Sequence, residues 1–325
     1  LHIIGKTFPL QINDTDMIRK NESDYKKQIN CVIDYIQLHL DNSLSASELS
    51  GMAGLSPYHF HRVFKLVVGE TLGRYIVRKR LEKSASLLSG SDISPIKNIA
   101  YECGFNSVNV FCRNFKKYFG VTAEEYRSRN RESYSKKRQF ISKDQPGSRL
   151  YSRYFCTTKT LITGGKEMNC TFEIKKVTAF NIIYCRHQGA FDQMQDAFVK
   201  LIQWAYPRGL VNVPGAKLLS VYHDDPDITE KEKLTADAAL IVHEEIKTSG
   251  EIGQYEIEGG LYAVGRFEIA MEEFPDAWHA MYDLVEEHGC CCGTGHHYEI
   301  YQNNRDEHPE KKWIVDICIP VKMKV

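Results

Sequence analysis

Residues 49–75 recur in kind about 50 positions further along the chain. Leu49, Ala53, Gly54 and Leu55 align with Ile99, Cys103, Gly104 and Phe105 at an offset of 50. After one inserted residue, Ser56, Phe60, Arg62, Phe64, Lys65, Gly69 and Tyr75 align with Ser107, Phe111, Arg113, Phe115, Lys116, Gly120 and Tyr126 at an offset of 51. A repeat of this length requires one small supersecondary unit to be built twice. Its punctuation names the unit. Ser45 and Glu48 have capping-box spacing for a short helix, and Gly54 supplies a tight turn. Ser56-Pro57 opens a further helix with a capping hydroxyl and proline at the first helical position. Helix, glycine turn, helix is the helix-turn-helix pattern.

Two longer helices frame the copies. Residues 24–40 place Tyr25, Ile29, Val32, Ile33, Ile36 and Leu40 on one face. Arg74 to Leu88 carries the stripe Tyr75, Leu81, Ala85, Leu88 and the cations Arg74, Arg78, Lys79, Arg80 and Lys83. Phe60, Val63, Phe64 and Phe111, Phe115, Tyr118 have core spacing, which leaves the opposite faces for function. Tyr58, His59, His61 and Arg62 begin the first candidate reading helix, and Val108, Asn109, Cys112 and Arg113 the second. Arginine pairs with guanine, asparagine with adenine, and valine or an aromatic ring can meet a thymine methyl. Lys65, Lys116 and Lys117 follow a turn later, suited to phosphates.

The charge is divided accordingly. Residues 1–150 hold 24 Lys+Arg against 15 Asp+Glu, whereas residues 151–325 hold 18 against 27, giving a chain with zero net charge. Such asymmetry suits a polyanion partner for the first half alone.

Residues 24–130 resemble the DNA-binding domain of AraC/XylS-family regulators. The resemblance rests on Ile99-Ala100, Cys103-Gly104-Phe105, Phe111, Arg113, Phe115-Lys116-Lys117-Tyr118-Phe119-Gly120 and the end Glu125-Tyr126-Arg127. It implies two reading helices on one rigid spacer entering successive major grooves. Tyr58, His61 and Arg62, and Val108, Asn109 and Arg113, would then face the bases. Val108 departs from the polar residues common at that slot.

Outside this domain, residues 1–23 read as a tail with Met17 as a candidate start, and residues 131–171 as a basic, Ser-rich exposed linker with turn signals at Pro146-Gly147 and Gly164-Gly165. No signal peptide or bilayer-length apolar run is expected, so the cytoplasm is the expected location and no membrane partner is anticipated. The ten cysteines read as free thiols. Cys290-Cys291-Cys292, near His288, His296 and His297, is a poor zinc set because adjacent side chains diverge. No metal site is expected.

From Phe172 the period becomes two. Strands are expected at Phe172–Val177, Phe180–Arg186, Leu218–Tyr222 and Ala238–Val242, and again at Gln254–Glu258, Leu261–Phe267, Tyr298–Tyr301 and Ile314–Ile319. Helices Asp192–Tyr206 and Glu272–Glu287 lie between the second and third strand of each set. Asp196-Ala197-Phe198 aligns with Asp276-Ala277-Trp278 at 80, and Tyr222 with Tyr301 and Asp237 with Asp316 at 79. The expected fold is therefore multidomain, an all-α tandem helix-turn-helix domain followed by an α+β domain of two β-β-α-β-β units about a pseudo-twofold axis.

Residues 172–325 resemble GyrI-like effector-binding domains, and the domain order resembles the Rob subgroup of AraC-type regulators. The resemblance, carried by Glu299-Ile300-Tyr301 and Val221-Tyr222-His223-Asp224-Asp225-Pro226, implies an aromatic cleft around one acidic residue that takes amphipathic or cationic molecules. Glu299 alternates to the opposite face from Tyr298 and Ile300, and Trp278, Tyr222 and Tyr301, with Trp204 and Phe191, are the candidate walls. A buried carboxylate demands a cation or donors, and aromatic faces add cation–π attraction.

The function expected from all this is a sequence-specific transcriptional regulator, an activator, responsive to a small effector. Its expected partners are double-stranded DNA, the effector and RNA polymerase. No catalytic triad, Walker loop, zinc-protease or dinucleotide motif is present, so neither an enzyme nor a cofactor is expected. The rival readings make the second domain a small-molecule hydrolase, with Glu299 activating water, or a module that captures a protein partner.

Overall fold

The computed structural model describes residues 14–89, 94–129, 156–163 and 166–323. The first half is helical: α1 (Asp14–Leu38), α2 (Ala46–Met52), α3 (Pro57–Val68), α4 (Leu72–Ser89), α5 (Ile96–Glu102) and α6 (Val108–Phe119), followed by α7 at 123–129. α1 starts ten residues before the expected boundary, inside the stretch read as tail. Residues 14–23 carry no apolar stripe in the sequence and so gave no amphipathic signal.

Local chemistry sets the other ends. The Ser45 hydroxyl accepts from Glu48 N, and its proton goes to the Glu48 carboxylate at 2.8 Å. The Ser56 hydroxyl caps α3 through His59 N at 3.4 Å. Thr122 and Glu125 cap α7 reciprocally, at 3.2 and 2.9 Å.

α4 joins the two units by belonging to both cores. Leu72, Tyr75 and Ile76 pack with Ile29, Ile36, Phe60 and Phe64. One turn on, Leu81, Ala85 and Leu88 pack with Ile99, Phe105, Phe111 and Phe115. The seam is tied by Arg80, which donates to the carbonyls of Leu40 and Asn42 at 2.8 and 2.7 Å. Gly104 of the second unit's turn lies so close that an added Cβ would collide with the Leu40 carbonyl.

Among the described residues, the second half is one antiparallel sheet with two α-helices. Its strands are β1 (Cys156–Thr163), β2 (Lys166–Val177), β3 (Phe180–Gln188), β4 (Leu218–Tyr222), β5 (Thr235–Val242), β6 (Ile252–Ile257), β7 (Gly260–Ile269), β8 (Cys290–Cys292), β9 (His297–Tyr301) and β10 (Trp313–Met323). The helices are α8 (Gln195–Ala205) and α9 (Phe274–Glu287). The order is β1-β2-β7-β10-β9-β4-β5-β3-β6, with β8 on β10. Exchanging the two repeats reverses the run from β2 to β6, so the pseudo-twofold axis passes between β4 and β9. The first strand of each repeat is exchanged: β2 pairs with β7, and β6 with β3.

β1 and the start of β2 fall inside the stretch expected to be linker. Their Thr- and Lys-rich sequences resemble loop composition, yet they pair backbone to backbone along eight residues. The Pro146-Gly147 and Gly164-Gly165 signals lie outside the described residues. Cys290–Cys292 is a short strand on Val321–Met323. Among the described residues no group of three or more His, Cys, Asp or Glu is placed to hold a metal ion. No described helix is long and apolar enough to cross a membrane.

Strand alternation gives the sheet two different faces. Ile183 and Cys185 of β3 pack with α8, while Met281 and Leu284 of α9 pack with Phe267 and Ile317. On the other face Ile182, Tyr184, Leu219, Val221, Tyr262 and Tyr298 form a separate cluster. Ser220, Tyr222, Glu299 and Tyr301 alternate with that cluster and therefore point between α8 and α9.

Candidate functional site

Two candidate sites emerge, one on each half. In the helical half, Phe60, Val63, Phe64, Phe111 and Phe115 are buried, which fixes the outward face of α3 and α6. Tyr58, His61, Arg62 and Lys65 of α3 are exposed, with the Arg62 guanidinium 5.9 Å from the Tyr58 ring. Asn109, Arg113, Lys116 and Lys117 of α6 are exposed as well. Both faces bear cations and are open.

Two of the candidate DNA contacts are only half open. His59 turns back to α1, 3.1 Å from the Tyr25 hydroxyl and edge-on to its ring. Val108 is half-buried against the second core. The repeat explains this: at an offset of 51, Val108 takes the place of Pro57, the first helical position, and Asn109 that of Tyr58. Two exposed apolar side chains that sequence reasoning passed over, Leu66 and Val110, lie on these helices, 80% and 40% exposed.

Of the spacer cations, Arg78 and Lys79 are buried rather than turned to a polyanion. Arg78 bonds Glu70 and Glu82, and Lys79 pairs with Asp224 of the second half. A buried cation survives only with such partners.

In the second half Glu299 is 1% exposed. One oxygen accepts from the hydroxyls of Tyr222 and Tyr301, at 2.7 and 2.6 Å, and the other from the Trp278 indole at 3.1 Å. Ser220, its ladder partner, lies 2.7 Å from the Tyr301 hydroxyl. Burial lifts the Glu299 carboxyl above the usual glutamate range, and the three donors oppose that lift. Tyr222 and Tyr301 are held far above the ordinary phenol value by burial beside Glu299, so both remain donors.

The wall is aromatic. Phe191 and Trp278 meet the Tyr222 ring at 4.8 and 5.4 Å, and Trp313 and Phe198 meet Tyr301 at 4.9 and 6.0 Å. Trp204, expected here, is not part of the cleft: its indole donates to Ser249 at 3.1 Å and Arg208 lies 4.0 Å over its ring. Its place near the C-terminal end of α8 carries it away from the axis. Ser220, Phe198 and Trp313 were missed, although Ser220 could have been found as the residue 79 positions before Glu299. The space in front of Glu299 is continuous with a cleft of about 2820 Å³ that reaches α1 and α4, and Asp and Glu outnumber Lys and Arg along its walls.

A basic pair of exposed helix faces fixed on one spacer, joined to a domain with an aromatic carboxylate cleft, defines a DNA-binding regulator with a small-molecule domain. Residues 49–129 match a helix-turn-helix domain, and residues 171–322 match the GyrI-like small molecule binding domain. The multiple antibiotic resistance protein MarA of Escherichia coli K12 is 34% identical over 108 residues, spanning 33% of this chain and 84% of that protein. The right origin-binding protein of the same organism is 41% identical over 93 residues, 29% of this chain and 32% of that one. Among solved structures, the DNA-binding domain of AdpA in complex with a target DNA aligns at 24% identity and a TM-score of 0.32, covering 34% of this chain and 97% of that one. The chain belongs to the AraC-type family of transcription regulators, with a GyrI-like domain following the DNA-binding one.

Proposed function

We propose that the protein is an effector-responsive transcription activator whose effector is a small aromatic or amphipathic cation held at Glu299. The observation that carries this is a buried carboxylate ringed by Tyr222, Tyr301 and Trp278 in the same chain as two open basic reading helices. A cation in the cleft restores the charge balance that burial denies Glu299, and the surrounding rings add about 0.5–2 kcal/mol of cation–π attraction. Both Glu299 oxygens already accept hydrogen bonds from side chains, which favours a binding carboxylate over a base that must hold a water. Activation, with RNA polymerase as partner and the cytoplasm as location, fits a second domain that docks on α1 and α4 and leaves α3 and α6 free for DNA.

The test uses calorimetry with benzyltrimethylammonium and its neutral isostere neopentylbenzene, alongside selection of duplexes from a random pool. We expect the cation to bind, the isostere to bind at least tenfold more weakly, and selected duplexes to share a two-part site whose affinity falls steeply with salt. Equal affinity for cation and isostere, or no duplex enrichment, defeats the reading.

A further inference from the structure

We infer that the cleft controls the relative setting of the two reading helices through the end of β4 and the loop behind it, residues 222–229. This rests on the reading of the cleft as an effector site and adds the route by which occupancy reaches DNA.

Consecutive residues of β4 serve opposite faces of the sheet. Tyr222 donates to Glu299 in the cleft. His223, next in the chain, lies 2.6 Å from Asp237 on the other face. Asp237 grips Arg186 through two bonds of 2.8 Å, and Arg186 reaches Asp34 of α1 at 2.7 Å. Tyr184 donates to the same Asp34 at 2.7 Å. One residue further, Asp224 pairs with Lys79 of α4, both side chains nearly sealed from water at 1% and 5% exposure. Ile228 then packs against the core of the second helix-turn-helix unit. The loop thus reaches α1, which belongs to the first reading unit, by way of Asp237 and Arg186, and reaches α4 and the core of the second unit directly.

The duplication supplies an internal control. Arg266, Asp316 and Gln302 are the repeat mates of Arg186, Asp237 and His223, at offsets of 80, 79 and 79. They reproduce the same bonds, Arg266 to Asp316 at 2.6 and 2.7 Å and Gln302 to Asp316 at 2.7 Å. Yet the Arg266 side chain is 55% exposed against 6% for Arg186. The triad recurs in both repeats, and only the first copy is covered by the DNA-binding domain. A cation arriving at Glu299 competes with the Tyr222 hydroxyl for the same oxygen, and a ligand that favours one position of Tyr222 shifts the population of whatever that position is tied to.

The test measures duplex affinity with and without saturating benzyltrimethylammonium, for the native chain, for Lys79→Met/Asp224→Asn and for Ile228→Ala, each first shown to melt cooperatively. We expect at least a fivefold change in the native chain on a two-part duplex and less than twofold on a duplex holding only one part. The variants should respond less than twofold while binding the cation within twofold of native. A full response in both variants, or an equal response on the single-part duplex, overturns the inference. If the native chain binds the cation with no change in DNA affinity, the cleft reading stands and this inference falls. If the cation does not bind, the cleft reading fails, and a cycle crossing Tyr222→Phe with Lys79→Met/Asp224→Asn decides the route: coupling of fivefold or more in duplex affinity supports it, and additivity overturns it.

Discussion

Ser220 and Glu299 face one another as ladder partners across the pseudo-twofold axis, and each is the other's counterpart in the duplicated sequence. The symmetric site therefore carries one carboxylate and one hydroxyl. Two carboxylates so close would hold a proton between them and lose their attraction for a cation. Glu299→Gln keeps one accepting oxygen for the two Tyr hydroxyls, places an amide NH2 opposite the Trp278 indole and removes the charge, and should lower cation affinity by about tenfold or more. Ser220→Ala removes a single hydroxyl and should cost about 0.5–1.5 kcal/mol of stability, with little change in cation affinity. Titration calorimetry and urea unfolding separate the two effects.

Acid should weaken the fold through His296 and His297, both pushed down to about 4 from 6.5, mainly by burial. Below 6.5 the unfolded chain takes up protons that the folded histidines refuse. Their contribution is full above pH 6.5 and lost as pH falls toward 4. Each adds up to about 1.4 kcal/mol per pH unit to the slope. Glu299 acts in the other direction: its raised carboxyl contributes stability below 4.5 that is lost as pH rises through its folded value. Urea unfolding between pH 7 and 5 should show the histidine slope, and His297→Gln should remove about half of it.

Arg186 and Arg266 make the same bidentate bond in different surroundings. Arg266→Met should cost about 1–3 kcal/mol, because Gln302 still donates to the buried Asp316 and the half-exposed site admits water. Arg186→Met strands Asp237 and Asp34 and should cost about 3–5 kcal/mol. Equal costs would mean that the contact with α1 is not formed in solution.

Gly54 and Gly104 occupy the same turn of the two helix-turn-helix units, at φ of +64° and +82°. An added Cβ at Gly54 meets open space, whereas at Gly104 it strikes Leu40 and Arg80. Gly54→Ala should cost about 1–2 kcal/mol from left-handed strain alone. Gly104→Ala should cost more and also weaken duplex binding, because it wedges one unit away from the other. Melting curves and a gel-shift assay test this.

On the reading face, Arg113→Ala should weaken a selected duplex by about 1–3 kcal/mol and a random duplex by much less. Lys116→Ala should weaken both alike and reduce the salt slope by about one. If Arg113→Ala affects both duplexes equally, it is a phosphate contact.

Much of this was legible from residue types alone, and what was not has definite physical causes. The capped helices and the outward Arg62 and Arg113 follow from local signals that act within one turn. The side of the strand that Glu299 takes follows from the two-residue period, while its place in a cleft was implied by the resemblance to GyrI-like domains. Lys79, Asp34 and Asp224 gave no such warning, because a charged residue paired across domains looks in sequence like any solvated charge. The contact of His59 with Tyr25 and the place of Trp204 were missed because helical spacing gives a face and no partner. The exchange of β2 and β6 was invisible for a related reason: alternation shows that a strand has an inside but not which neighbour it joins.

That exchange has a bearing on how the chain matures. β2 is complete at Val177, but the strand it must join, β7, begins at Gly260. Emerging from a ribosome, β2 holds an unsatisfied edge until β7 has been synthesised, at Ile269. Long-range pairings of this kind are slow to form and prone to aggregation while they wait. The helical half, whose contacts are local, can be finished by then, and α1 offers the nascent sheet a surface on which to assemble.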